Sequence, residues 1–223
     1  MFFRLSILIF LSSTISGLAQ PLPDCRYDDV PTYHQELSDW QISLLDTIYK
    51  LSPTYQPTDL IKVSEAGFGS EKEVRQLMLA DLQALNDAAR AAGMFLEIQS
   101  AFRSYGYQEQ TFQSWVNQDG LEAALKSSAR AGHSEHQLGT AIDFRSASGP
   151  AAWELEDWAT TPEGAWLKEH AWQYGFVMSY PKNKEAITCY IYEPWHYRYV
   201  GREIAQKLKD SGLSLREWLW QAQ

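Results

Sequence analysis

Apolar residues repeat at helical spacing through most of the chain and alternate with polar residues in a few shorter segments. The clearest helical pattern begins at Ser70, which together with Glu73 fits a Ser-x-x-Glu cap, and continues to Gly93. The same spacing predicts helices over residues 38–51, 105–116, 121–131, 162–174, 203–209 and 215–222.

Strands are predicted between these helices, over residues 95–102, 140–145, 176–180 and 186–192. The alternation is clearest in the second of them, where Ile142 and Phe144 share one face and Asp143 lies on the other. Helices and strands do not alternate regularly along the chain. The pattern therefore indicates an α+β fold, with helices packed on an antiparallel sheet of about four strands.

The first residues have the pattern of a secretory signal peptide. A short cationic start ending at Arg4 precedes an apolar run over residues 5–11, and small residues lead to Ala19. A membrane-spanning helix needs about 20 apolar residues, which this run does not reach. We therefore expect residues 1–19 to be removed on export to the periplasm or the extracellular cell wall, leaving no stable membrane span.

Composition favours one globular domain for the rest of the chain. A chain of 223 residues with 45% apolar and 13% aromatic residues can bury a core but not several large domains. We expect an extended segment over residues 20–37, followed by a single domain over residues 38–223 that is a monomer. The 28 acidic and 19 basic residues give a net charge of -9, which disfavours nucleic acid as a partner.

Cys25 and Cys189 are the only cysteines in the sequence. In an oxidising compartment they could pair, and closing so long a loop would add on the order of 4 kcal/mol of stability. Two separate thiols are the alternative, because the sequence does not give the distance between them.

Two segments carry side chains suited to a metal ion. In the first, a tight turn at Gly139 would let His136 and Asp143 converge on one ion. In the second, a bend at the intervening proline would turn Glu193 and His196 toward one cavity. Two histidines and one carboxylate leave a zinc ion one open position for water, as in hydrolytic zinc sites.

Glu193 is the candidate general base, because such a site needs a carboxylate that is close to the metal without binding it. Taken alone, a histidine followed by an aspartate seven residues later is more often a structural pair. The Glu-Pro-Trp-His segment that ends at His196 shifts the balance toward a catalytic site.

The same residues carry a resemblance to a known family. The pattern Ser-x-His-x-x-Gly-x-Ala-x-Asp over residues 134–143 and the Glu-Pro-Trp-His segment are similar to those of VanY-type D-alanyl-D-alanine carboxypeptidases, which are LAS or M15 zinc peptidases. Phe-Arg-Ser-Tyr-x-x-Gln around Arg103 and Tyr-Gly-Phe over residues 174–176 also match. The resemblance extends over about residues 60–201, and four motifs in the same order make it specific.

The resemblance implies a LAS or Hedgehog-like fold with the metal in an open groove, and it implies a role for each matching residue. The matches are His136, Asp143 and His196 as ligands of one zinc ion, Glu193 as catalytic base, Arg103 as a catalytic and substrate-binding arginine, and Gln108 and Ser134 as substrate contacts.

The implied activity is hydrolysis of the terminal D-alanine of peptidoglycan stem peptides, at a D-Ala-D-Ala or an L,D bond. An endopeptidase that cuts peptidoglycan cross-links would use the same metal chemistry, and a cation behind the scissile bond would distinguish the two. A wall-binding module without activity would lack the base or a ligand, and all four residues are present.

Three other residues near the motifs have open interpretations. His133 could compete with His136 for the metal. Arg145 and Arg198 could orient carboxylates around the site or could simply be solvated.

Overall fold

Helices and short strands alternate irregularly in residues 21–222, which are the residues that the computed structural model describes. The α-helices are α1 (Leu79–Ala91), α2 (Tyr105–Asp119), α3 (Leu121–Ser127), α4 (Pro162–His170), α5 (Glu185–Thr188), α6 (Arg202–Ser211) and α7 (Leu215–Gln221). The strands are β1 (Val30–Pro31), β2 (Tyr49–Lys50), β3 (Leu60–Lys62), β4 (Glu73–Arg75), β5 (Leu96–Ser100), β6 (Ala141–Ser146), β7 (Phe176–Met178) and β8 (His196–Tyr199).

The main sheet has the strand order β5-β6-β8-β7, and each neighbouring pair is antiparallel. This confirms the predicted α+β class and its four-stranded antiparallel sheet. The register places Asp143 of β6 opposite His196 of β8 on one side and opposite Ser100 of β5 on the other. Two smaller sheets lie outside it, a parallel pair of β1 with β2 and an antiparallel pair of β3 with β4.

The main core lies between this sheet and helices α1 and α4. Ile142 and Phe144 of β6 belong to one buried cluster with Leu82 and Leu85 of α1 and Leu167 of α4. Each such side chain stabilises the fold by about 1.5–3 kcal/mol when fully buried. Side chains alternate along a strand. Because Ile142 and Phe144 are buried in this core, Asp143 between them lies on the opposite face of β6.

A second cluster joins the beginning and the end of the described chain. Leu44 and Ile48 pack with Leu208 of α6 and with Leu215 and Leu219 of α7. The last two helices therefore cover the segment before β2.

Residues 21–37 are held against the domain by several contacts. Cys25 and Cys189 form a disulfide, and their Cα atoms are 5.4 Å apart. Arg216 of α7 donates a hydrogen bond to the carbonyl oxygen of Pro23 at 3.1 Å. The pairing of β1 with β2 adds backbone hydrogen bonds to these contacts.

The helix predicted from Ser70 begins nine residues later, at Leu79. The segment Glu73–Arg75 instead pairs with β3 as strand β4. The Ser70 hydroxyl accepts a hydrogen bond from the backbone N–H of Lys72 at 3.3 Å, which is a local turn and not a helix cap. The predicted cap was therefore wrong, although the later apolar positions of the helix are buried as expected.

The helix predicted over residues 38–51 is wrong. The segment contains a 3-10 turn, Leu37–Asp39, then irregular backbone, and it ends in β2. Asp46 explains the difference, because its Oδ1 accepts hydrogen bonds from the backbone N–H groups of Ile48 and Tyr49 at 2.7 and 2.8 Å. Residues 43–49 are all buried, so their apolar side chains belong to an interior segment rather than to one face of a helix.

The strand predicted over residues 186–192 is also wrong, because the short helix α5 occupies its first half. Cys189 ends that helix in the left-handed region, with φ of 70°, and its N–H donates to the carbonyl oxygen of Glu185 at 2.9 Å. The predicted helices over 121–131 and 162–174 end as α-helices at Ser127 and His170. The remaining predicted helices and strands are confirmed within a few residues.

The predicted signal peptide, residues 1–19, lies outside the described residues. Among residues 21–222, no helix combines the length and the apolar character that crossing a membrane requires.

Candidate metal centre and active site

The candidate site lies where β6 and β8 pair. A 3-10 turn, Glu135–Leu138, carries His136, while Asp143 follows on β6 and His196 is the first residue of β8. Their ligand atoms all lie within 4.8 Å of one another, and all three residues are buried. The fold therefore brings together the three side chains that the sequence motifs select as metal ligands.

Gly139 connects the turn to β6 in a conformation that favours glycine, at a place with no room for a Cβ atom. Its φ is 73°, in the left-handed region, and an added Cβ would lie 2.9 Å from Arg75 Cγ and 3.2 Å from Pro57 Cγ. Its carbonyl oxygen accepts a hydrogen bond from the backbone N–H of Arg75 at 2.9 Å. The tight turn expected at this position is present, and the side chains of Arg75 and Pro57 pack against it.

His136 presents one nitrogen without a partner. Its Nδ1 lies 2.7 Å from the carbonyl oxygen of Ala101, which can only accept, so Nδ1 carries the proton. Its Nε2 is buried without a hydrogen bond and lies 3.2 Å from Asp143 Oδ2. Burial and the nearby charge of Arg103 lower the pKa of His136 to about 4, so the ring is neutral at pH 7. A buried lone pair that faces a carboxylate needs a cation between them.

His196 lies between two carboxylates. Its Nδ1 is 2.9 Å from Asp143 Oδ1, and its Nε2 is 3.0 Å from Glu135 Oε2. Burial alone would lower the pKa of His196, but the hydrogen bonds with these two carboxylates outweigh it and raise the pKa to about 10. Burial likewise opposes the charge of Asp143, yet His136 and His196 hold its pKa below the usual range. Two ring nitrogens and one carboxylate form a donor set that fits zinc.

Glu193 lies beside the three donors without joining them. It is 9% exposed, and its carboxyl group forms no hydrogen bond or ion pair with any residue of the range 21–222. Burial raises the pKa of Glu193 to about 8, and the opposing charge of His196 only reduces this effect. An unpaired carboxyl group next to a metal site can accept and release a proton.

Arg103 provides an unpaired cation at the same place. Its Nε is buried without a partner, and its guanidinium forms no ion pair within the described part of the chain. Burial lowers the pKa of Arg103, while the charges of Asp143 and Glu193 act in the opposite direction. An unpaired guanidinium can bind a carboxylate through two hydrogen bonds.

Ser134 and Gln108 make contacts within the protein. The Ser134 hydroxyl accepts a hydrogen bond from the backbone N–H of His136 at 3.3 Å and so caps the turn. Gln108 Nε2 donates to the carbonyl oxygen of Ala129 at 2.6 Å, while its Oε1 is buried without a partner. Both residues shape the segment that leads to His136, and their contact with substrate stays a prediction.

His133 and Arg145 lie outside the group of metal donors. His133 Nδ1 is 2.8 Å from the carbonyl oxygen of Asp46, and its Nε2 is 2.9 Å from Asp29 Oδ1. Both ring nitrogens are thus occupied elsewhere. Arg145 donates to the carbonyl oxygen of Gly149 at 3.4 Å.

Glu135 and Arg198 form a buried ion pair behind the site. Arg198 Nη1 lies 3.0 Å from Glu135 Oε1, and both side chains are almost completely buried. Burial opposes the charge of Glu135, but His196, Arg198 and Ser179 lower its pKa to about 2. Of the two interpretations of Arg198, orientation of a carboxylate is the one observed. The sequence carries no signal for the burial of Glu135, because a glutamate in a short turn is normally exposed.

Several known proteins are similar to this chain. Residues 71–202 match the family model described as VanY, D-alanyl-D-alanine carboxypeptidase. The chain is 38% identical over 183 residues to the putative carboxypeptidase YodJ of Bacillus subtilis (strain 168). This alignment covers 79% of this chain and 66% of YodJ. The chain spans 40% and 52% of the lengths of two D-alanyl-D-alanine carboxypeptidases, from Enterococcus faecium and Enterococcus faecalis.

Solved structures with the same fold include an L,D and a D,D enzyme. The LdcB LD-carboxypeptidase has a TM-score of 0.67 and 35% identity, covering 78% of this chain and 83% of that one. The vancomycin resistance D,D-pentapeptidase VanY from a VanB-type cassette, solved with Zn(II), has a TM-score of 0.69 and 30% identity. The match covers 81% of this chain and 99% of that one.

Proposed function

The chain belongs to the VanY family of D-alanyl-D-alanine carboxypeptidases, which are metallopeptidases, and we propose from this premise that it removes the terminal D-alanine from peptidoglycan stem peptides. The observation that carries the proposal is the arrangement of His136, Asp143 and His196 around one point, next to the unpaired Glu193 and Arg103. We further propose that the reaction depends on one zinc ion.

The three donors are the residues that would hold this ion. Support comes from the unpaired Nε2 of His136, from the two nitrogens and one oxygen of the donor set, and from the Zn(II) in the similar VanY structure. When bound, zinc supplies a Lewis acid for a carbonyl group and makes water more acidic.

Glu193 moves the proton in the proposed reaction. Its carboxyl group is unpaired among residues 21–222, and a cation held by the three donors would favour its ionised form, which can accept a proton from the attacking water and pass it to the leaving amine. His136, Asp143 and His196 are the proposed metal donors and are therefore not available for this role.

Arg103 binds the carboxylate of the terminal residue and so fixes the distance from the scissile bond to the end of the peptide. Its charge lies close to Asp143 and Glu193 and has no ion pair of its own in residues 21–222. A cation in this place favours a carboxypeptidase over a cross-link endopeptidase, whose substrate continues beyond the bond that is cut. It also stabilises the negative charge that develops on the carbonyl oxygen.

We also propose that the protein is exported. Its proposed substrate is part of the cell wall, and residues 1–19 have the pattern of a signal peptide.

Mass spectrometry of digested muropeptides tests the proposal. The purified protein is incubated with zinc, or after chelation, with muropeptides that carry a pentapeptide or a tetrapeptide stem, and with a cross-linked dimer. Loss of one alanine in the zinc sample alone supports the proposal, and the stem that is shortened identifies the bond. Unchanged stems in every sample refute it, and cleavage of the dimer alone supports the endopeptidase.

A further inference from the structure

We propose that Glu135 is a positioning residue that determines which nitrogen of His196 faces the metal. The proposal rests on the zinc site described above and adds a residue that does not itself touch the ion or the substrate. Its basis is the contact of 3.0 Å between Glu135 Oε2 and His196 Nε2, both of which are buried.

The contact selects one tautomer of the ring. An ionised carboxylate can only accept hydrogen bonds, so Glu135 holds a ring proton on Nε2, and a metal ion must bind at the other nitrogen. That nitrogen is Nδ1, which lies 2.9 Å from Oδ1 of Asp143, another member of the metal-donor cluster. A carboxylate that accepts a hydrogen bond from a metal-binding histidine also makes the ring a stronger electron-pair donor to the metal. Glu135 therefore has for His196 the role that the carbonyl oxygen of Ala101 has for His136.

Hydrogen bonds from Ser179 and Arg198 fix the position of the Glu135 carboxylate. Ser179 Oγ donates to Oε2 at 2.5 Å, and Arg198 Nη1 lies 3.0 Å from Oε1. Arg198 is fixed in turn, because its Nη2 donates to the carbonyl oxygen of Trp40 at 2.6 Å. Each carboxylate oxygen thus has a protein donor besides the ring. An ion pair with a purely structural role would need only the contact between Glu135 and Arg198. Here Glu135 Oε2 also contacts His196, one of the proposed metal ligands.

Glu135→Gln tests the role, because the amide is similar in size but carries no charge. Asp46→Asn is the matched control. Asp46 forms another buried carboxylate pair with an arginine, to Arg216 Nε at 2.6 Å, and none of its side-chain contacts in residues 21–222 is to one of the three donors. Both variants leave a buried arginine without its oppositely charged partner and should lower thermal stability. Only the first removes a group that touches His196.

The measurements are zinc affinity by competition with a chelator and the visible absorption spectrum of the cobalt(II)-substituted protein. We expect Glu135→Gln to bind zinc about 10- to 100-fold more weakly than wild type and to change the cobalt spectrum. Asp46→Asn should keep the wild-type affinity and spectrum. Wild-type affinity and spectrum in Glu135→Gln, or an equal loss in both variants, would overturn the proposal.

Ser179→Ala provides the same test if Glu135→Gln does not fold, since it removes one donor to Glu135 while keeping the charge pair with Arg198. We then expect an affinity a few-fold below wild type, and an unchanged affinity would contradict the role of Glu135. Failure of the wild-type protein to bind zinc would refute the metal site itself, and this proposal with it, before any variant is compared.

Discussion

Two buried carboxyl groups of the site differ in what surrounds them, and this difference separates their roles. Asp143 contacts both imidazoles, which stabilise its charged form against the effect of burial. Glu193 has no such contact, so burial dominates and raises its pKa to about 8. The first is suited to hold a cation permanently, and the second to exchange a proton.

Removing the carboxyl group of Glu193 should separate catalysis from metal binding. We expect Glu193→Gln to lower kcat by about 100- to 10,000-fold, because it removes the proton acceptor while leaving the three donors in place. Release of alanine from muropeptides measures the rate, and competition with a chelator measures zinc binding. Glu156→Gln, at an exposed position, is the control. Equal rates for the two variants would exclude Glu193 as the base.

Arg103 should matter most for peptides that end in a carboxylate. We expect Arg103→Met to lower kcat/KM by about 10- to 100-fold on such peptides, the range for a hydrogen bond to a charged group. On the same peptides with an amidated end the loss should be smaller, because only the stabilisation of the carbonyl oxygen remains to be lost. Arg145→Met is the control, since Arg145 contacts the backbone of Gly149 and not the site. An equal loss on both kinds of peptide would contradict carboxylate binding.

At the level of elements, the register of the main sheet and one turn assemble the site. The pairing of β6 with β8 places Asp143 opposite His196, and the turn at Gly139 brings His136 back toward both. A shift of one residue in this register would turn Asp143 into the core and Ile142 toward the site. The apolar face of β6 therefore protects the geometry of the metal donors.

Gly139→Ala should disturb both stability and metal binding. Gly93→Ala is a close control, because Gly93 has a similar φ of 77° but nothing within 4 Å of an added Cβ. The left-handed backbone alone costs about 1–2 kcal/mol, so chemical denaturation should show this loss in Gly93→Ala and a larger loss in Gly139→Ala. Zinc affinity should fall only in Gly139→Ala. Identical behaviour of the two variants would show that packing around Gly139 is unimportant.

The disulfide should contribute to stability and not to chemistry. It links Cys25 to Cys189 across 164 residues of sequence. We expect a variant with serine at both positions to lose about 4 kcal/mol of unfolding free energy in urea, because its unfolded chain is no longer constrained. Its kcat at a temperature where it is folded should match wild type. A large loss of kcat in the folded variant would indicate that the segment before β1 shapes the site.

For the whole molecule, the net charge of -9 means that an anionic peptide is not attracted by the surface in general. Any attraction must be local, at Arg103 and at a cation held by the three proposed donors. Stability likewise has a general and a local source, because three apolar clusters of the described residues stabilise the fold and the site would add to this by binding a metal ion.

Zinc should therefore stabilise the entire domain. At zinc concentrations of about 1,000 times Kd, binding to the folded state alone adds about 4 kcal/mol to the free energy of unfolding. Thermal unfolding with zinc and with a chelator should show this shift in wild type. It should be absent when His136 and His196 are both replaced by alanine. A shift of the same size in that double variant would show that zinc binds elsewhere.

The members of the candidate site were predictable from the sequence because they belong to short motifs. Asp143 lies seven residues after His136, and Glu193 lies three residues before His196, so each pair is placed by local backbone. The alternation over residues 140–145 likewise predicted which face of β6 enters the core. Local spacing also located most helices, since their apolar positions must face the interior wherever the helix begins.

Only the tertiary structure decided the features that depend on distant partners. Glu73–Arg75 forms a strand because β3 pairs with it, and residues 38–51 stay irregular because Asp46 binds backbone groups and Arg216 of α7. Glu135 is buried because Arg198, far along the chain, neutralises its charge. The physical reason is the same in each case: a hydrogen bond or ion pair between remote segments outweighs a local preference of about 1 kcal/mol or less per residue. The sequence by itself therefore determined which residues make up the candidate site, and the fold decided how those residues are supported.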